Sequence, residues 1–272
     1  MKDILFIILV LAASRLALYA VLRIHLRFQV GPEICRKLLH IAIGLILCPL
    51  PWVLESRRSA ISLCGIYLAL LVARRYLAAL GNHVNGILDG VGRKSLGEFL
   101  FPITAALLFI LSGDDRITYL APMLTLALAD AAAALVGRRY GMARFQTVGG
   151  CKSLEGSLAF AVVTFSATHL TLLFMGNTGR AESVLLAALV ALILALVEAW
   201  ATGGWDNLVV PMTALLLLKT LQHAPATLLA PLTLGAVIAV MTPVLVYSLV
   251  PTLPRGKSSP VGEAISPNVR EF

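Results

Sequence analysis

The chain has 272 residues, of which 59% are hydrophobic and only 13% charged, with a mean hydropathy of +0.90. An ordinary soluble domain is about half apolar and about one-quarter charged, so this balance excludes a soluble fold and leaves function to membrane spans or short loops. The net charge of +8 is scattered between apolar segments, as in loops beside an anionic leaflet, rather than gathered into a patch for nucleic acid.

A membrane span needs about 20 apolar residues. Such runs fall at roughly 4–22, 38–54, 59–73, 96–112, 117–136, 154–175, 183–200, 207–221 and 228–250. They predict an all-α, polytopic membrane helix bundle of about nine transmembrane helices, or seven to eight if 207–221 is re-entrant or 59–73 lies shallow. Residues 1–250 read as a single integral membrane domain, and the Pro/Ser/Gly-rich 251–272 as a disordered cytoplasmic tail. The first run, MKDILFIILVLAASRLALYAVLRIH, is interrupted by Arg15 and mimics a signal peptide; with so many later spans it reads as a retained helix.

Loop charge gives an independent check, because Lys and Arg collect on the cytoplasmic side. With nine spans, most of the 22 Lys and Arg residues share one face, while Lys2, Arg57, Arg58, Arg116, Arg180 and Lys219 take the other. The N-terminus is therefore expected outside and the C-terminus inside, with the loops near 23–37, 74–95, 137–153 and 201–206 on the cytoplasmic face. The polar oddities of the chain lie in those four loops or at the span ends beside them.

Taken in order, PEICRKLLHIAIG sets Arg36, Lys37 and His40 at a helix start, with Arg36 and His40 one turn apart on one face. Arg36 and Lys37 suit snorkelling anchors as well as phosphate binding, and His40 suits a proton carrier as well as a hydrogen-bonded core group. GVGRKSLGE and VGGCKSLEG, at 90–98 and 148–156, each miss the phosphate-loop pattern by one residue, Arg93 or Cys151 standing before the Lys. Ser95 and Glu98 have capping-box spacing. In TLALADAAAALVGRRYG, Asp130 lies two turns inside a span on a face of alanines, and Arg138, Arg139 and Gly141 follow it. A carboxylate beneath a basic Gly-rich loop suits a divalent cation and phosphate oxygens.

Lys152 and Ser153 precede a membrane helix whose free N–H groups favour anions, and Glu155 adds a carboxylate in its first turn. In VEAWATGGWDNLVVP, Glu198 and the Asp206-Asn207 pair flank a short loop containing Gly203 and Gly204, again compatible with a metal. Cys35, Cys48, Cys64 and Cys151 show no ligand spacing and read as small core residues. Acidic and basic groups thus converge on one face with no catalytic triad or zinc signature, which points to phosphate and divalent-metal chemistry on a substrate arriving from lipid.

RKLLHIAIG, GRKSLGEFLFP, LADAAAALVGRRYG, KSLEGSLAF and VEAWATGGWDNLVVP, in that order and across about residues 33–211, resemble the polyprenol kinase family, which includes dolichol, phytol and CTP-dependent diacylglycerol kinases. The resemblance implies a multi-span enzyme that phosphorylates a lipid alcohol with CTP and a divalent cation such as Mg²⁺. It maps family positions onto Arg36 and Lys37, onto Asp130 and Gly137, onto Lys152, Ser153, Glu155, Gly156 and Ser157, and onto Glu198, Asp206 and Asn207. Ala129 stands where relatives often have Gly, a mild departure.

On this reading Asp130, Glu155, Glu198 and Asp206 supply metal ligands and Arg36, Lys37, Arg139 and Lys152 offset phosphate charge, with Asp130 or His40 taking the hydroxyl proton. Gly137, Gly141, Ser153, Gly156 and Asn207 complete the nucleotide site. A cytidylyltransferase attacking the α-phosphorus of CTP is the first rival and a membrane transporter the second. The lipid alcohol and the oligomeric state are left open.

Overall fold

The computed structural model describes residues 2–79, 96–147 and 150–249. Among them, helices follow at α1 (Lys2–Phe28), α2 (Pro32–Leu47), a short α3 (Leu50–Val53), α4 (Arg57–Ala79), α5 (Gly97–Ser112) and α6 (Arg116–Leu124). A π-helical segment, Thr125–Ala129, carries α6 directly into α7 (Asp130–Tyr140). Two strands, β1 (Arg144–Thr147) and β2 (Gly150–Ser153), precede α8 (Leu154–Met175), α9 (Arg180–Trp200), α10 (Asp206–Leu221) and α11 (Ala226–Leu249). Each of the nine apolar runs falls within a helical rod, α2 with α3 and α6 through α7 counting as one rod apiece. Five rods are long and apolar enough to cross a membrane: α1, Pro32–Val53, Arg116–Tyr140, α8 and α9. Of the remaining rods, α5 and α10 are shorter, α4 bears arginines at both ends, and α11 is 24 residues long and apolar, so the expected all-α membrane bundle holds.

Local chemistry sets several boundaries. Pro32 opens α2, where its missing N–H costs nothing. The Asp115 carboxylate accepts from the Ile117 amide at 2.9 Å and caps α6. The Ser153 hydroxyl oxygen accepts from Gly156 N at 3.1 Å and caps α8. The β1–β2 hairpin, with Arg144 opposite Ser153 and Thr147 opposite Gly150, is the one piece of sheet among the described residues. The sequence reading placed Lys152 just before a helix at 154, where it lies; the strand β2 that carries it was not foreseen, and the hairpin reverses the chain between α7 and α8. Ser95 and the 251–272 tail lie outside the described residues, and Glu98 pairs with Arg74 at 2.6 Å.

The α6–π–α7 rod lies between two cores. One gathers Leu47, Leu63, Phe101, Leu108, Tyr119 and Met123 from the first half of the chain; the other gathers Ala129, Phe160, Leu172, Leu186, Leu194 and Leu218 from the second. A π segment widens the helix by one residue and frees a backbone carbonyl. Here Leu126 O receives His40 Nε2 at 2.8 Å from α2. Gly44, one turn further along α2, touches the same segment so closely that a Cβ on it would stand 2.3 Å from Ala127 Cβ.

Gly44→Ala should therefore force α2 off the central rod at a cost of about 1–3 kcal/mol, lowering the thermal unfolding midpoint in detergent by several degrees. Gly65→Ala, with nothing within 4 Å of the added methyl, should leave the midpoint unchanged in the same scan.

Candidate active site

A cavity of about 1450 Å³ opens at the end of the bundle where α2 begins, α7 ends, and β2 and the loop after α9 meet. Its polar end is lined by Arg36, Lys37, Asp130, Lys152, Glu198 and Asp206, drawn from five elements spread over 171 positions of sequence. His40, Gly137, Ser153, Gly156 and Asn207 line it as well. Among the described residues, the ends of the segments that charge bias assigned to one face meet at one end of the bundle, and Leu96 N donates to Gly203 O at 3.0 Å.

Two ion pairs organise the polar end. Lys37 Nζ donates to Asp130 Oδ2 at 2.5 Å, with side-chain exposures of 9% and 21%, so the pair is largely withdrawn from solvent. Lys152 Nζ donates to Glu198 Oε1 at 2.6 Å and also to the Glu198 backbone carbonyl. A charge buried in apolar surroundings persists only when paired and hydrogen-bonded, and each lysine meets that need with one carboxylate from a distant helix. Arg36 adds a third cation, bonded to Glu33 at 2.7 Å.

Asp206 and Asn207 are arranged differently. Gly203 and Gly204 take positive φ of 65° and 97°, which L side chains resist, and so allow the tight turn that returns the chain beside Glu198. Asp206 is the first residue of α10 but caps nothing: its Oδ1 and Asn207 Oδ1 are buried without a hydrogen-bond partner in the structure. Asp130, Glu198 and Asp206 lie near enough for their charges to interact. Buried oxygens left bare beside other carboxylates are poised for a cation or a donor group.

Three expected site residues do not line this cavity. Arg139 is exposed, its guanidinium carbon 5.5 Å from the Tyr140 ring centroid; its neighbour Arg138, about 100° around the helix, takes the lining position. Glu155 Oε1 accepts from the Met142 and Ala143 amides at 3.1 Å each, clamping the turn before β1. Gly141 is a packing residue: a Cβ there would meet Gly137 O at 2.2 Å and Ser153 Cβ at 2.8 Å. Gly137 and Gly156 both pack on Ser153 Oγ in the same seam, so they bring α7 and α8 together at the cavity wall. The Ser153 hydroxyl caps α8, and His40 faces Leu126 O with its ring edge-on to Phe101 at 4.6 Å.

Over 197 residues the chain is 30% identical to the phytol kinase of Synechocystis sp., covering 70% of this chain and 81% of that protein. The chain belongs to the polyprenol and phytol kinase family. No family model and no solved structure matches it.

The divalent cation that the sequence resemblance implies finds a partial set of donors here. Among the described residues no three His, Cys, Asp or Glu side chains form a ready cage, so the expected four-carboxylate set does not assemble by itself. The donors that are available, Asp206 Oδ1 and Asn207 Oδ1, are hard oxygens. They suit Mg²⁺, which usually takes one or two protein ligands and fills the rest of its shell with phosphate oxygens and water. Arg74 and Glu98, Arg138, and Arg144 of β1 also line the cavity; the sequence reading placed Arg138 in the basic loop after Asp130, took Glu98 for a cap, and counted Arg74 and Arg144 only in the loop charge bias. Their one legible signal was position: all fall in or beside the four loops of the basic face.

Removing one partner of the Lys37–Asp130 pair should be costly, about 3–5 kcal/mol for a buried charge left alone. Lys37→Met should therefore unfold well before the wild type on heating, and the Lys37→Met/Asp130→Asn double variant should be more stable than Lys37→Met. For Glu155→Ala, loss of the two amide bonds should speed tryptic cleavage after Arg144 severalfold while the global unfolding midpoint stays near wild type.

Proposed function

We propose that the protein is a lipid-alcohol kinase that moves the γ-phosphate of CTP to a membrane isoprenoid alcohol of the phytol type, with Mg²⁺ as the divalent ion. The observation that carries this reading is the single cavity with lysines, arginines and carboxylates at one end and an apolar arm running into the bundle. A water-soluble polyphosphate and a lipid hydroxyl need such a junction, and membership of the kinase family favours phosphoryl transfer as the chemistry there. The proposed setting is a bacterial inner membrane, N-terminus out and C-terminus in, with the polar end facing the cytoplasm, as the positive-inside bias requires.

Phosphoryl transfer asks the protein chiefly to position and to neutralise. Lys37, Lys152 and Arg36 would meet the nucleotide phosphates, each lysine exchanging part of its bond to Asp130 or Glu198 for a phosphate oxygen. Asp206 and Asn207 would hold Mg²⁺, aided by Asp130 or Glu198; the ion, when bound, withdraws charge from the phosphate oxygens. The lipid oxygen attacks the γ-phosphorus in line, forming the new P–O bond as the bond to the CDP oxygen breaks. The hydroxyl proton passes to Asp130, while His40, turned to the Leu126 carbonyl, stays in the wall.

The test uses purified protein in detergent with Mg²⁺, a panel of lipid alcohols plus phosphatidate, and CTP labelled at the α or the γ phosphate. Gamma label should move into an alcohol; alpha label moving into lipid would make the enzyme a cytidylyltransferase, and movement of neither, with ATP, GTP and UTP also tried, would defeat the kinase reading. In the same assay Asp206→Asn and Asp130→Asn should each cut kcat by about 10²–10³, the scale on which lost transition-state electrostatics usually falls. Full activity in a folded Asp130→Asn protein would remove that residue from the site.

A further inference from the structure

Below the level of Lys37 the cavity continues as an arm between α1, α2, α4 and α5, walled by Leu11, Leu18, Ile43, Leu47, Leu70 and Leu71. The charged lining residue at this depth, Arg15, is exposed, and its long stem lets the guanidinium leave the arm for water. The far end is closed by a specific contact. Ser14 Oγ donates to Val10 O at 2.8 Å, which uses its one hydrogen, so in its close bond with Tyr67 the tyrosine hydroxyl is the donor. The phenol of α4 is thereby fastened to α1 across the arm.

Beyond that ring lies a second, small apolar cavity of about 20 Å³, lined by Leu50, Ala60, Leu63, Cys64, Ala105 and Ala106. Tyr67, Leu47 and Pro102 line both spaces. Leu47 and Pro102 are fixed in the helices that build the walls, whereas Tyr67 reaches over to α1 and separates one space from the other. Packed interiors do not deform continuously, so a chain of the wrong length meets the ring as a stop.

We infer that Tyr67 is the floor of the alcohol-binding arm and sets the chain length of the substrate, a deduction that rests on the lipid-alcohol kinase reading for the identity of the guest. From Lys37 to Leu47 the arm follows ten residues of α2, or about 15 Å at the helical rise. An extended chain advances roughly 1.2 Å per bond, judging from the three bonds of each peptide unit. The arm therefore holds about a dozen main-chain atoms, or three isoprene units: a farnesyl chain fills it, a phytyl chain of four units overruns it by about one, and a polyprenol of many units overruns it several times over.

The experiment compares farnesol, phytol and a nine-unit polyprenol as acceptors, together with a farnesol analogue bearing a diazirine at the chain terminus. Wild type should favour the two shorter alcohols, and Tyr67→Ala, which adds the volume of the ring and of the small cavity, should raise kcat/KM for phytol relative to farnesol about tenfold while the nine-unit alcohol stays a poor acceptor. Tyr67→Phe, which keeps the ring, should retain the wild-type profile, and Cys64→Phe added to Tyr67→Ala should restore it by refilling the space. Photolysis should label peptides carrying Leu47 or Tyr67 in wild type and shift to those carrying Ala60, Cys64 or Ala106 in Tyr67→Ala.

An unchanged length profile in active Tyr67→Ala overturns the floor. Labelling at these positions without phosphate transfer to any alcohol leaves the floor standing and overturns the kinase reading. Neither labelling nor transfer overturns both.

Discussion

A lysine and an aspartate 93 positions apart share a buried 2.5 Å hydrogen bond, and much of the architecture around them follows from the requirement that neither charge be left alone. Within apolar surroundings an isolated ammonium or carboxylate costs several kcal/mol, so α2 and α7 cannot separate without exposing that cost. The pair demands a close approach of α2 to the central rod. Gly44 supplies the approach, since any side chain there would collide with Ala127. It also demands that Asp130 face α2. The π segment contributes here, because one additional residue in a helix turns everything after it by about 100°. The carbonyl that such a turn leaves over would itself be a buried debt; His40, three positions after Lys37, takes it. Ion pair, glycine, π segment and histidine form one device that aims Asp130 into the cavity.

The second pair works by another route. Lys152 lies on a strand, where alternate side chains point to opposite faces, and in the hairpin it pairs with Phe145 rather than opening a helix. That geometry carries its ammonium across to Glu198 at the end of α9. Both lysines are therefore matched by carboxylates, while Asp206 and Asn207 keep bare oxygens. A polar end built in this way is nearly neutral on its own and answers to charge from outside. A polyphosphate brings negative charge that competes for the lysines and a counter-cation that the released carboxylates attract. The two bare oxygens of Asp206 and Asn207 fit that division of labour, because a metal that arrived with its phosphates would need only part of its shell from protein.

Much of this was legible in the sequence because membranes simplify the reading. Apolar runs marked the rods, the loop charge bias sorted their ends, and an acid inside a span had to be either functional or paired; Asp130 is paired and lines the cavity. What escaped was what depends on a single residue of register. No sequence signal announces a π segment, so the orientation of Asp130 and the satisfaction of His40 were hidden. Arg138 and Arg139 are indistinguishable as letters and both exposed, yet a rotation of about 100° leaves Arg138 lining the cavity and Arg139 away from it. Glu155 matched a family motif and a helix start equally well, and the amides of Met142 and Ala143 claimed it because the hairpin, also unforeseen, brought them near. The glycines at 137, 141 and 156 suggested a phosphate cradle; Gly137 and Gly156 line the cavity, and the spacing of all three also lets α7 and α8 pass closely around Ser153.

The shape of the cavity completes the argument, because the two reactants of a lipid phosphorylation prefer different solvents. The nucleotide is strongly hydrated and the alcohol is held in hydrocarbon, so a site wholly in either phase would exclude one of them. The bundle resolves this by continuing one space from lysines and carboxylates to leucines along the same helices. On α2, Lys37 and Leu47 are ten residues apart, about 15 Å by the helical rise, and both line the cavity. A hydroxyl at the junction keeps its chain among apolar side chains while its oxygen reaches the phosphates. Closing the apolar arm with a tyrosine hydrogen-bonded to α1 gives that chain a defined depth, so the same structure that reconciles the two phases also fixes where along the arm the reacting oxygen comes to rest.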